Sequence, residues 1–192
     1  MNSVCVYCAS STQIDEKYFR AAEELGTLIA QNGLRLITGA GNLGLMNTVQ
    51  NAALAAGGIA TGIIPTFMIK EGWHHTGLTE LIETNTMHER KQMMADLSDG
   101  VIALPGGCGT LEELLEIITW KQLGLYLNPI VILNVDGYYD ALLAQLERGL
   151  KDHFMRPIHA NIWKVATTPK EAIELLLTTP QWDKEIRRFA AI

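Results

Sequence analysis

The sequence predicts an α/β chain of three layers, a Rossmann-like, mostly parallel sheet with helices on both faces. Two observations point there. Short apolar runs alternate with amphipathic stretches along the chain. The runs are also apolar at nearly every position, as strands covered on both sides are. At 192 residues there is material for one good core and little for two. We expect a single domain over 1–192, with 179–192 as a C-terminal extension.

The first run, Val4 to Cys8, leads into Cys8-Ala9-Ser10-Ser11-Thr12, which reads either as a turn with a helix cap or as a ligand loop. A helix follows over about Asp15 to Asn32, then a strand over Leu34 to Thr38. Gly39-Ala40-Gly41-Asn42-Leu43-Gly44 opens the next helix, Leu45 to Ala56. This is a literal G-x-G-x-x-G, yet no acidic residue closes the following strand, Ile59 to Ile64, as dinucleotide binding would require. Gly41 and Asn42 instead suit close backbone approach to a smaller ligand. Met68 to His75 reads as an irregular, partly aromatic loop with solvated histidines, in which Glu71 faces either a ligand hydroxyl or water. Helices follow over Met87 to Ser98, Thr110 to Leu123, Tyr138 to Lys151 and Pro169 to Leu177. Between them lie strands over Val101 to Leu104, Ile130 to Asn134 and Trp163 to Ala166.

Hydrophobic residues make up 48% of the chain and charged residues 19%, with a formal net charge of −6, a balance that argues against nucleic acid or an anionic membrane as partner. No apolar stretch approaches a membrane span. The N-terminal residues read as a strand and not as a signal peptide, so the cytoplasm is expected. Three cysteines do not make a disulfide framework. Cys5 and Cys8 sit three apart in a strand and therefore face opposite ways.

Chemistry concentrates in Val101-Ile102-Ala103-Leu104-Pro105-Gly106-Gly107-Cys108-Gly109-Thr110-Leu111-Glu112-Glu113. A buried strand breaks at a glycine turn and runs into a helix, whose first amides and dipole favour an anion. The lysine and hydroxyl of a triphosphate loop are missing. The expectation is a cradle for one phosphate, with no cofactor and no metal. Two readings stay open for Thr110 and Glu113. They form a capping box, with Thr110 as N-cap, or Glu113 and its neighbours Glu112 and Glu116 serve a substrate that develops positive charge beside its phosphate. Arg90, on an apolar helix face with Met87, Met94 and Leu97, wants an anion: a structural carboxylate, or else a substrate phosphate or a catalytic carboxylate. Ile117 and Trp120 widen the apolar face of Leu111, Leu114, Leu115, Ile118 and Leu123, which suggests a subunit contact.

Pro105 to Glu113 matches P-G-G-x-G-T-x-x-E, and Met87-His88-Glu89-Arg90-Lys91 resembles its usual companion. Together they resemble the LOG family, cytokinin riboside 5′-monophosphate phosphoribohydrolases long mislabelled as lysine decarboxylases. The likeness runs from Val4 to about Leu177. It implies hydrolysis of the N-glycosidic bond of a purine nucleoside 5′-monophosphate, with Arg90 and Glu113 catalytic. It also implies that Lys91, Gly106, Gly107, Gly109, Thr110, Glu112, Glu71 and Thr119 line the ligand site, near the boundary of a homodimer. Ala40, Asn47 and Ala9 depart from the family's usual pattern, which bears on substrate preference more than on reaction type. Two rivals are a nucleotide sensor without turnover and a decarboxylase, which would need a pyridoxal-linked lysine or another electron sink.

Overall fold

A computed structural model describes residues 1–183 and 185. Most of the expected extension, residues 184 and 186–192, lies outside the described residues. The strands are β1 (Ser3–Tyr7), β2 (Arg35–Thr38), β3 (Ala60–Pro65), β4 (Glu80–Thr84), β5 (Val101–Ala103), β6 (Ile130–Leu133) and β7 (Lys164–Ala166). They form one sheet in the order β4-β3-β2-β1-β5-β6-β7, and every pairing is parallel. The helices are α1 (Glu16–Gln31), α2 (Gly44–Ala55), α3 (Thr66–Lys70), α4 (Met87–Asp96), α5 (Cys108–Gln122), α6 (Asp140–Lys151) and α7 (Pro169–Thr178).

The strand pleat divides the core in two. Val4, Val6, Ile102 and Leu104 point to a cluster with α1, α2 and α7, whereas Cys5, Tyr7, Val101 and Ala103 point to one with α4, α5 and α6. Cys5 and Cys8 are both buried and free, in opposite clusters. Local chemistry starts the helices where expected: Asp15 caps α1 through Lys17 N–H, Thr86 caps α4 through Glu89 N–H, and Thr168 caps α7 through Glu171 N–H.

Among the strands and α-helices of the described residues, two were not foreseen. The edge strand β4 has only Leu81 and Ile82 as apolar residues, and most of it is exposed, so it lacks the buried run that marks its neighbours. The segment expected to be irregular begins with α3 and then crosses to the loop after β2. Trp73 O accepts from Asn42 N–H at 2.9 Å, and Ala40 O accepts from His75 N–H at 2.8 Å. His74 pairs with Gly41 as an isolated bridge. The two histidines are accordingly half-buried rather than solvated; the His75 ring lies 2.8 Å from Asn51 Oδ1, and burial lowers its pKa.

The chain builds outward from β1 to β4 and then returns to place β5 on the other side of β1. The carboxyl ends of β1 and β5 therefore flank a topological switch point, the place where open parallel sheets bind ligands.

Candidate active site

The loops after β1, β2 and β5 meet α4, α5 and the Met68–Trp73 segment around a cleft of about 580 Å³. Its walls include Ser10 and Ser11 from the first loop, Gly39, Gly41 and Asn42 from the second, Gly107, Gly109 and Thr110 from the third, and Arg90 and Glu113. Leu43, Met46, Met68 and Trp73 give it an apolar rim.

α5 begins at Cys108, with Gly107 as N-cap and no side chain capping it. The capping box does not form, because the helix starts two residues before Thr110 and that position already lies inside the first turn. The N-terminal amides of this helix have no partner within it, and three of the residues that carry them, Gly107, Gly109 and Thr110, border the cleft. Glu113, released from any capping role, turns to Arg90.

Arg90 lies on the buried face of α4. Its Nε donates to Ile63 O at 3.1 Å and its Nη2 to Gly39 O at 3.3 Å. These bonds hold Nη1 at 3.9 Å from Glu113 Oε1, too long for a hydrogen bond but close for two opposite charges in a buried site. The Glu113 side chain is only 10% exposed. Burial lifts its carboxyl to about 7, against the pull of the Arg90 guanidinium and with a push from Glu112. Of the readings for Arg90, the structure shows the pairing with a carboxylate, in a place on the wall of the cleft.

Lys91 packs beside this pair, buried, with Nζ 2.6 Å from Glu112 Oε1 and 3.2 Å from Glu116. Burial alone would lower its pKa, but the two carboxylates outweigh that and raise it. A lysine held charged in this way is a poor Schiff-base nucleophile. Gly106 lies directly behind the cradle, since a Cβ there would fall 2.1 Å from Thr110 Oγ1. Glu71 is exposed at the end of α3, and Thr119 is exposed on α5 with its hydroxyl donating to Leu115 O. Glu71, Lys91, Gly106, Glu112 and Thr119 are thus not among the residues that wall the cleft of a single chain.

Sequence reasoning passed over several residues that shape the site. Met46 Sδ lies 2.9 Å from Gly41 N, and buried Gln50 accepts from Thr38 Oγ1 at 2.7 Å while donating to Gly41 O at 2.8 Å. A glutamine between Val49 and Ala53 on the buried face of α2 was the available signal. Ala40, where the family pattern has glycine, has φ +61°.

A family model described as "Possible lysine decarboxylase" matches residues 46–176. The cytokinin riboside 5′-monophosphate phosphoribohydrolase LOG5 of Arabidopsis thaliana is 47% identical over 176 residues, which are 90% of this chain and 76% of that protein. The cytokinin riboside 5′-monophosphate phosphoribohydrolase of Rhodococcoides fascians is 46% identical over 157 residues, 81% of this chain and 79% of that one. Among solved structures, the molybdenum cofactor binding protein from Rippkaea orientalis aligns with a TM-score of 0.70 at 26% identity, covering 92% of this chain and 96% of that chain. With a family model over residues 46–176 and relatives nearly half identical along most of its length, the chain belongs to the LOG family of cytokinin riboside 5′-monophosphate phosphoribohydrolases.

Proposed function

We propose that this chain is a phosphoribohydrolase that cleaves the N-glycosidic bond of purine nucleoside 5′-monophosphates carrying adenine or an N6-modified adenine. The products are the free base and ribose 5-phosphate. One observation carries the reading: a buried carboxylate, Glu113, shares a 580 Å³ cleft with an uncapped helix N-terminus and an arginine 3.9 Å from it. The amides of Gly107 to Thr110 bind the 5′-phosphate, and that remote binding energy sets the ribose against Glu113. As the base departs the sugar gains oxocarbenium character. The Glu113 carboxylate stabilises that charge and orients or deprotonates the attacking water. Arg90 holds Glu113 in place and contacts the ligand. Gly41 and Asn42 approach the ligand through their backbone, and the apolar rim of Leu43, Met68 and Trp73 faces the base.

The chain works as a homodimer in the cytoplasm, with the site near the subunit boundary, where a second copy brings Glu71, Glu112 and Thr119 to the ligand. Exposed Leu115, Leu123 and Leu125, on and just beyond α5, support the dimer; three free cysteines support a reducing compartment.

The test is release of base from a panel of nucleoside monophosphates, with the riboside and triphosphate included. Glu113→Gln should lower kcat for AMP by about 10²–10⁴-fold while AMP still binds; near-normal turnover would reject the role. For the native chain kcat/KM should rise with pH through about 7 and level off above, since the working form is the ionised carboxylate.

The likeness to a molybdenum cofactor binding protein favours one other reading, a nucleotide-binding protein without turnover. AMP that binds and is recovered intact would support it.

A further inference from the structure

One motif remains unused by this chemistry: Asn134-Val135-Asp136-Gly137-Tyr138-Tyr139, at the carboxyl end of β6. We propose that it positions the phosphate cradle, with Tyr138 aiming the Gly107 amide at the ligand. The proposal rests on the nucleotide reading above.

After β5 the chain turns through Leu104, Pro105 and Gly106, and each of these carbonyls is tied away from the helix. Leu104 O accepts from the Tyr139 hydroxyl at 2.7 Å, Pro105 O from Ala9 N–H at 3.3 Å, and Gly106 O from the Tyr138 hydroxyl at 2.8 Å. A carbonyl and the following N–H share one rigid plane and point opposite ways. Fixing Gly106 O therefore fixes the direction of the Gly107 N–H. The Tyr139 bond orients the plane that leads into Pro105, which has no N–H to present. Of the two phenols, only Tyr138 aims a donor.

The phenols are themselves held. Asn134 Oδ1 accepts from Tyr139 N–H at 2.7 Å, and Asn134 Nδ2 donates to Asp140 Oδ1 at 2.8 Å. The backbone folds back through positive φ at Asp136 and Gly137, and Lys17 pairs with Asp136 across the surface. The Tyr138 ring meets Tyr18 and Tyr139 edge-on, at centroid distances of 5.7 and 5.1 Å. Asn134 thus links β6 to a turn whose two aromatic residues reach the adjacent strand's loop.

Tyr138 is 43% exposed, so Tyr138→Phe should fold. Binding of ribose 5-phosphate and of adenosine is measured by calorimetry on the full chain, beside steady-state turnover of AMP. In Tyr138→Phe the Kd for ribose 5-phosphate and the KM for AMP should rise about tenfold, with adenosine binding and the pH midpoint of turnover unchanged. Tyr139→Phe should lower the melting temperature without that selective loss. Ribose 5-phosphate affinity within twofold of native in a folded Tyr138→Phe chain overturns the proposal, as does equal weakening of both ligands. A native chain that binds neither ribose 5-phosphate nor AMP would instead overturn the nucleotide reading, and the proposal with it.

Discussion

At Gly39 a missing side chain makes room for a guanidinium: a Cβ there would sit 1.6 Å from Arg90 Nη2. Gly39→Ala must displace Arg90 from the carbonyls that hold it, so AMP turnover should fall at least tenfold with little change in far-ultraviolet circular dichroism. Glu113 makes a prediction about stability. Its pKa in the folded chain, about 7, exceeds the ordinary value of 4.5, so the folded state binds the proton more tightly than the unfolded one. This group's contribution is complete below 4.5 and is lost as pH rises through 7, by about 3 kcal/mol in all. The difference in unfolding free energy between Glu113→Gln and the native chain should therefore move in the variant's favour between pH 5 and 8, as urea titrations would measure. Both residues could be named from their motifs. Their proximity could not, because they sit on different helices and only the packing of α4 and α5 against the sheet brings them together.

Elements were legible to the extent that their signals were local. Asp15, Thr86 and Thr168 mark helix starts because a short side chain accepting from an amide two or three residues on is a nearest-neighbour effect. The start of α5 misled for the same reason. Thr110 and Glu113 have the spacing of a capping box, yet Gly107 takes the cap position and Glu113 turns inward to Arg90. β4 escaped notice because an edge strand with one exposed face carries neither a long apolar run nor a clean alternation. Within α2, Gln50 is the polar residue that secures the β2 loop. Gln50→Leu strands the Gly41 carbonyl and leaves the Thr38 hydroxyl proton without its acceptor, and should cost about 1–3 kcal/mol of unfolding free energy in urea.

At the scale of the molecule, the parallel order with its switch point between β1 and β5 explains why three loops distant in sequence share one cleft. The proposed pairing of copies is the next level up. α5 buries Leu114, Ile117 and Ile118 against the sheet, which leaves Leu115 40% and Leu123 42% exposed, with Leu125 beyond them at 63%. Replacing Leu115 and Leu125 together with glutamate should convert the proposed dimer to a monomer in sedimentation velocity and abolish most AMP turnover. Full activity in the resulting monomer would place the whole site within one chain.

The sequence by itself determined the alternation of elements, the burial of the sheet on both faces, the glycine turn that opens α5 and the pair of motifs that carry Arg90 and Glu113. Each of these depends on residues within a few positions of one another, where periodicity, capping and turn geometry act. Tertiary structure alone decided that Glu113 faces Arg90 and not its own helix end, that its carboxyl is held near 7, and that two tyrosines from the end of β6 tie back the carbonyls of the cradle. Those facts follow from burial and hydrogen bonding between segments far apart in the chain, and no local pattern encodes them.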